Sequence, residues 1–187
     1  ADAKTLGKVG SNPGTNRDSN AWFTPVKYMD SVHKVLGHID LDPFSSKDAN
    51  KLVNAKAYFT EKDDAFKQDW KKVKAKTAFM NPPYSAGLCR DAVSRFVMEY
   101  KQSFGEGVVL VNNATETRWF QLMLREATAV MLTDHRISFW NADGKAVSGN
   151  TRGQAFFYFG DNPEKFLVEF SKHGIAINLG GTARTGI

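Results

Sequence analysis

The sequence predicts an α/β fold: a mostly parallel sheet with helices on both faces and an antiparallel C-terminal hairpin. Two patterns carry this expectation. Short apolar runs alternate with helical stripes over the first two thirds of the chain, and the last third turns to strand-like runs separated by a polar loop. A length of 187 residues with 42% hydrophobic content also suits one compact core.

Residues 1–20 are rich in Gly, Ser, Asn and Asp and lack apolar periodicity, which predicts a flexible arm, followed by a single domain over 21–187. Order is expected to begin at Trp22-Phe23-Thr24-Pro25. Thr24 suits an N-cap and Pro25 a first helical position, with Val26, Met29, Val32, Val35 and Leu36 forming a stripe that stops near Gly37. Residues 38–42 read as a strand. Residues 47–57 read as a helix with Ala49, Leu52, Val53 and Ala57 inward, and Tyr58-Phe59 as a second strand. An apolar strand over 77–80 runs into Asn81 and is followed by a helix over 87–102 carrying Val93, Phe96, Val97 and Tyr100. The next unit is a strand over 108–111, a loop over 112–116 and a helix over 117–127 with Phe120, Leu122, Met123 and Leu124 apolar. Residues 129–132, 136–140 and 155–159 are strand-like, and the last two are expected to form the terminal hairpin.

Lys plus Arg exceeds Asp plus Glu by 25 to 20, a net charge of +5, which favours a polyanionic partner. The lone cysteine, Cys89, leaves no intrachain disulfide and fits a reducing compartment. His33, His38, His135 and His173 are scattered without ligand spacing, so no metal is expected. No apolar run approaches the roughly 18 residues of a membrane span, and the start of the sequence has no signal-peptide core. A cytoplasmic location, in a bacterial cell or a phage-infected host, is therefore expected. Monomer and weak dimer are both open.

Asn81-Pro82-Pro83-Tyr84 carries the chemistry. An exocyclic aromatic amine attacks poorly while its lone pair is delocalised into the ring, so two acceptors must grip its N–H groups as charge develops. The Asn81 Oδ1 and the Pro82 carbonyl supply such a pair. Pro82 and Pro83 fix φ and bring no competing N–H, and a residue before proline is biased to extended backbone, so the acceptors are set before substrate arrives. Tyr84 offers an aromatic face to the captured base. The same tetrapeptide serves enzymes acting on DNA or RNA adenine, on cytosine N4 and on protein glutamine.

A second constellation, Ile39-Asp40-Leu41-Asp42-Pro43-Phe44-Ser45, ends an apolar strand with two acids. Alternation places Ile39 and Leu41 on one face and Asp40 and Asp42 on the other. Acids at a strand end can bind the amino group or ribose hydroxyls of a nucleoside cofactor, or simply cap the following turn.

Taken in order, Trp22-Phe23-Thr24-Pro25, Ile39 to Ser45, Asp69-Trp70 and Asn81-Pro82-Pro83-Tyr84 resemble the phage-type DNA N6-adenine methyltransferases over about residues 20–160. The segments over 108–120 and at Arg136-Ile137-Ser138-Phe139 look similar as well. The resemblance implies a Rossmann-like methyltransferase fold, S-adenosyl-L-methionine as cofactor and DNA as partner. It maps cofactor binding onto Trp22, Phe23 and Thr24 and onto Asp42, Pro43, Phe44 and Ser45, with Asp40 beside them, and catalysis onto Asn81, Pro82, Pro83 and Tyr84. Many relatives carry Gly-x-Gly after Asp-Pro-Phe where this chain has Ser45-Ser46-Lys47, so serine hydroxyls are the expected holders of the methionine carboxylate. Among Asp63, Asp64 and Asp69, Asp69 beside Trp70 is the expected further cofactor contact.

Arg118, Trp119, Arg136, Lys145 and Arg152 fall on loops or strand ends that should border one sheet edge and contact DNA, and the loop over 141–154 is long for a hairpin. A base inside a duplex cannot reach a pocket, so base flipping is implied. The run Lys67, Lys71, Lys72, Lys74 and Lys76 reads either as a solvated connector or as a phosphate-tracking face. Methylation of RNA adenine, cytosine N4 or a protein glutamine amide, and a catalytically inactive nucleic-acid-binding protein that keeps the fold, are the competing functions.

Overall fold

Seven strands and five helices make up the computed structural model, which describes residues 23–141, 143–146 and 150–180. The arm expected over 1–20 and Trp22 lie outside the described residues. In chain order the elements are α1 (Val26–Leu36), β1 (Ile39–Asp42), α2 (Asn50–Val53), β2 (Ala55–Tyr58), β3 (Thr77–Met80), α3 (Leu88–Gln102), β4 (Glu106–Asn112), α4 (Arg118–Glu126), β5 (Ala129–Thr133), β6 (Gln154–Phe159), α5 (Pro163–Phe170) and β7 (Gly174–Asn178). Short 3-10 turns fall at Ala65–Lys67, Trp70–Val73 and Ser85–Gly87.

The strand order is β2-β1-β3-β4-β6-β5-β7. β1 pairs in parallel with β2 and with β3, and β3 with β4. β6 runs antiparallel between β4 and β5, and β7 runs antiparallel to β5. The expected majority of parallel pairing is therefore absent: pairings divide evenly, three of each kind. The chain steps outward from β1 to β2, then returns to place β3 on the other side of β1. That reversal opens a crevice at the carboxyl ends of β1 and β3, where open α/β sheets take their ligands.

Side chains of the central strands divide between two apolar layers, as alternation requires. On one face Ala78, Met80, Val109, Val111, Phe157 and Phe159 meet Val93, Phe96 and Val97 of α3 and Phe120 and Met123 of α4. On the other, Phe79, Val108, Leu110, Phe156 and Tyr158 meet Met29, Val32 and Val35 of α1 and Phe166 and Phe170 of α5. β1 departs from alternation, because Ile39 joins the α1 layer and Leu41 the α3 layer.

Several local expectations are corrected. Helix α1 carries no side-chain cap; Pro25 occupies the cap position, and its carbonyl accepts the Tyr28 and Met29 amides at 3.1 and 3.2 Å. The helix expected over 47–57 is reduced to α2, because Asn54 takes a left-handed conformation, φ 53°, that stops it. Asn50 then clasps both backbone groups of Ala55 through its side-chain amide, at 3.1 and 2.9 Å, and turns the chain into β2. The terminal hairpin is not formed by 136–140 and 155–159. β6 is buried along its whole length and needs a sheet neighbour on each side, so it lies between β4 and β5. Residues 136–140 keep the alternation that suggested a strand, with Ile137 and Phe139 buried and Arg136 and Ser138 exposed. They join the structure through the Phe23 and Trp140 bridge. Beyond residue 159 the structure adds α5 and β7. The Asn162-Pro163-Glu164 start signal and the Phe166 and Phe170 spacing carried α5 in the sequence.

Gly107 allows the α3 layer to close on the sheet: a Cβ there would stand 2.6 Å from Cζ of Phe96 and 3.2 Å from the Ala78 carbonyl. Gly107→Ala is expected to destabilise the fold by about 1–3 kcal/mol through overpacking. Thermal unfolding checks this, and an unchanged midpoint would contradict the close packing described.

Candidate active site

The crevice at the strand reversal holds a cavity of about 570 Å³, within the range that small-molecule sites occupy. Phe23 and Thr24 border it ahead of α1, Asp42 to Ser46 at the end of β1, and Asn81 and Pro83 at the end of β3. The two expected motifs thus open onto one space. The sequence placed them on separate strand ends, and the β1-β3 pairing brings them together.

Asp42 is 3% exposed, and its Oδ1 accepts the Phe44 amide at 3.2 Å. Burial pushes its carboxyl up to about 7, against the opposing pull of the Phe44 amide and the Ser45 hydroxyl. A carboxyl with few internal partners at a cavity wall suits a cationic or hydroxyl-bearing ligand, whose arrival would replace the water it has lost. The turn after β1 is sewn to the end of β2: Phe59 N donates to Asp42 O at 3.0 Å, and Ser45 N to Phe59 O at 2.9 Å. Ser46 Oγ accepts the Ala49 amide at 3.0 Å and caps the next turn.

The opposite wall was not foreseen. Phe59, Thr60, Asp64 and Phe66 line it, and the Phe44 and Phe66 rings stand 5.4 Å apart across an interplanar angle of 55°. Asp64 adopts φ 55°, a conformation uncommon outside glycine, and its Oδ1 accepts the Phe66 amide at 3.2 Å. Arg95 of α3 holds this wall from behind. Its guanidinium donates to the carbonyls of Phe66 and Gln68 at 3.1 and 2.6 Å, pairs with Glu99 and lies over the Trp70 ring. Trp70 is 1% exposed and belongs to the core.

Two expected cofactor residues stand elsewhere. Asp69 is exposed and caps the Trp70–Val73 turn by accepting the Lys71 amide, so of Asp63, Asp64 and Asp69 it is Asp64 that lines the cavity, with Glu61 and Asp42. Asp40 is outside the cavity lining: its Oδ2 accepts the Lys76 and Thr77 amides, and His38 and Lys56 pair with it at 3.2 and 3.5 Å. Burial raises its carboxyl, but those amides and cations outweigh burial and hold it below the usual carboxylate range.

In the loop after β3, Pro82 and Pro83 are buried, and Asn81 is half-buried. Tyr84 does not stand free. Its hydroxyl accepts the Asn112 amide at 2.6 Å, and its ring meets Trp119 at 6.5 Å, nearly edge-on. Burial and the neighbouring Cys89 push its phenol well above the ordinary value, so it stays protonated. Cys89 itself is buried, and burial pushes its thiol up to about 12, which removes it as a nucleophile.

Trp119 thus reaches the Asn81 to Tyr84 loop, and the adjacent Arg118 is exposed at the start of α4. Arg152 lies close enough for its charge to act on Tyr84. Arg136 and Lys145 are exposed, with Lys145 in a turn closed by Asn141. Lys71, Lys72, Lys74 and Lys76 are exposed and lead into the amino end of β3, the opposite edge from Asn81. Among the described residues no cluster of three or more His, Cys, Asp or Glu could hold a metal ion, and no helix is long and apolar enough to cross a membrane.

The fold and cavity define an α/β protein with a cavity at the carboxyl edge of its sheet. The profile of the DNA N-6-adenine-methyltransferase (Dam) family matches residues 11–176, and the chain belongs to that family. Among curated proteins none matches the chain. The resemblance read from the ordered motifs is thus borne out as Dam-like.

Asp42 gives the ligand-free protein a definite pH response. Its folded value, raised to about 7 from 3.8, means that the folded state holds a proton the unfolded chain releases, so stability falls as pH rises from about 4 through 7. That loss is roughly 4 kcal/mol at most. Asp42→Asn is expected to flatten the profile, raising the unfolding midpoint at pH 8 far more than at pH 4. Parallel profiles for the two proteins would remove the buried, proton-holding carboxyl from this account.

Proposed function

We propose that this chain methylates the exocyclic N6 amine of adenine in DNA, with S-adenosyl-L-methionine as methyl donor and the target base turned out of the duplex. The observation that carries the reading is that Asn81 and Pro83 open onto the same cavity as Asp42 and Phe44, so an acceptor-bearing loop and a nucleoside-sized site are contiguous. Family membership supports adenine in DNA as the substrate. The strand order supports a Rossmann-like doubly wound sheet over the first four strands, with the crevice at its switch point.

The cavity fits the cofactor chemically. Phe44 and Phe66 present aromatic faces for an adenine ring, and Asp42 is a buried carboxyl for an amino group or ribose hydroxyl. Thr24 and Ser45 add hydroxyls on the same lining, Ser45 being the candidate for the methionine carboxylate. Phe23 and Pro43 complete that side. When bound, the cofactor supplies an electrophilic methyl sulfonium.

The chain's own work is to make the amine nucleophilic. Asn81 Oδ1 and the Pro82 carbonyl would accept its two N–H groups and favour the tetrahedral nitrogen that forms as the N–C bond is made and the donor's S–C bond breaks, its electron pair leaving on a neutral thioether. Pro82 and Pro83 hold those acceptors without reorganisation. The methylated amine then releases its extra proton to water, so no general base is required, and the protonated Tyr84 is unsuited to be one. Tyr84 and Trp119 form an aromatic corner for the extruded base, while Arg118, Arg136, Lys145 and Arg152 hold phosphates along that edge.

Incubation with labelled cofactor and duplex DNA, followed by digestion to nucleosides, is expected to place label in N6-methyladenine. Label in N4-methylcytosine instead would overturn the base assignment. Asn81→Ala is expected to lower transfer by about 10²–10³-fold, the usual effect of removing one such electrostatic contact, while cofactor affinity stays within a few-fold. Phe66→Ala is expected to do the reverse, weakening cofactor binding first. Calorimetry and turnover together separate the two, and wild-type turnover in Asn81→Ala would sink the proposed role.

A further inference from the structure

Gln154 is an anomaly: it opens β6 ahead of Ala155, Phe156, Phe157, Tyr158 and Phe159, yet it is 0% exposed. An apolar residue would suit that strand position, and a buried amide is tolerated only if its hydrogen bonds are made. All of them are. Its Oε1 accepts the Ile137 amide at 2.9 Å, and its Nε2 donates to Asn112 Oδ1 at 3.1 Å and to the Arg152 carbonyl at 2.8 Å. The amide orientation is unambiguous, because a backbone N–H can only donate and a carbonyl can only accept.

Each partner leads to a different part of the site. Asn112, whose side-chain oxygen Gln154 holds, donates its backbone N–H to the Tyr84 hydroxyl at 2.6 Å. Ile137 belongs to the extended segment that carries Arg136 and, at Trp140, bridges to Phe23 on the cavity wall. Its carbonyl is held by Asn150 Nδ2 at 2.9 Å, and Asn150 Oδ1 in turn accepts the Arg152 amide at 3.1 Å. The long connection between β5 and β6 is thereby tied to the end of β4 through the Gln154 side chain, alongside the backbone bond from Asn113 N to the Gly153 carbonyl at 2.9 Å.

We propose that Gln154 is a positioning residue that couples the DNA-facing connection over 136–152 to Tyr84 of the catalytic loop, so that strand engagement and base capture share one geometry. The inference rests on the methyltransferase reading for its kinetic consequence and on the hydrogen bonds alone for its structural one. The informative variant is Gln154→Glu, which keeps an acceptor for Ile137 and loses both donors; Gln154→Leu removes all three bonds.

Amide exchange supplies the readout that needs no turnover. The Asn112 backbone amide is expected to exchange at least tenfold faster in Gln154→Glu relative to the amides in the middle of β3 and β4 of the same variant, which report the global loss of stability from burying a carboxylate. An unchanged Asn112 rate on that relative scale overturns the coupling, even in a protein that methylates nothing. In the active protein, kcat/KM for duplex DNA is expected to fall at least tenfold with cofactor affinity within twofold. The same substitution in a Tyr84→Phe background is expected to cost no more than about threefold, because the link is already cut. A full tenfold loss in that background, or a parallel loss of cofactor affinity, would assign Gln154 to general packing. Absence of label transfer by the wild type would instead count against the methyltransferase reading, leaving the exchange result to decide the coupling.

Discussion

The junction of β1 with β3 is the constraint on which the rest of the structure depends. It is the point where strand order reverses, yet its ladder is short, registered by the single pair Leu41 with Ala78. Side chains complete what the backbone ladder leaves undone. Asp40 Oδ2 takes the Lys76 and Thr77 amides, while Thr77 Oγ1 accepts the Asp40 amide at 3.1 Å and donates to the His38 carbonyl at 2.7 Å. This clasp sits at the amino end of β3 and fixes how far the two strands advance past each other. Because the period of a strand is two residues, a slip of one would turn Asp42 or Asn81 away from the crevice.

That register explains why two acids separated by one residue have opposite characters. Asp40 is surrounded by donors and cations, and its carboxyl is held low; Asp42, at the ligand end, has only the turn that follows it, and burial raises its carboxyl. One carboxylate is used by the fold, and the other stands on the cavity wall. The same division recurs along the cavity wall, where Asp69 caps a turn and Asp64 lines the cavity. Arg95 completes the pattern, because a guanidinium bonded to two carbonyls, a carboxylate and an aromatic face pins a loop that has little regular structure of its own.

Much of this was legible in the sequence, and the part that was not has physical reasons. Strands β3 and β4 and helices α3 and α4 follow from apolar periodicity, and the two motif loops fall at strand ends as their prolines and acids suggested. Helix α2 was overextended because Lys51, Leu52 and Val53 continue a helical pattern that only the left-handed Asn54 interrupts. The hairpin was misassigned because alternation in residues 136–140 reports one buried face and does not say whether a strand or a bridge buries it. The aromatic wall at Phe59 and Phe66 was invisible because it is assembled by a loop whose placement depends on Arg95, some thirty residues later. Among the acids, local sequence beside Trp70 pointed to Asp69, whereas the backbone turn selected Asp64.

The Asn81 loop therefore lies between two clamps of different chemistry. On the cavity side the charge of Arg95 holds a loop to a helix; on the Tyr84 side the neutral amide of Gln154 holds a connection to a strand end. The difference is physically apt. A guanidinium fits where its surroundings include Glu99 to balance it, whereas a charge at position 154 would lie inside the sheet with no ion-pair partner on any of its three bonds. Neither clamp touches Asn81 directly; the two prolines that follow it fix φ and limit the backbone freedom of its loop.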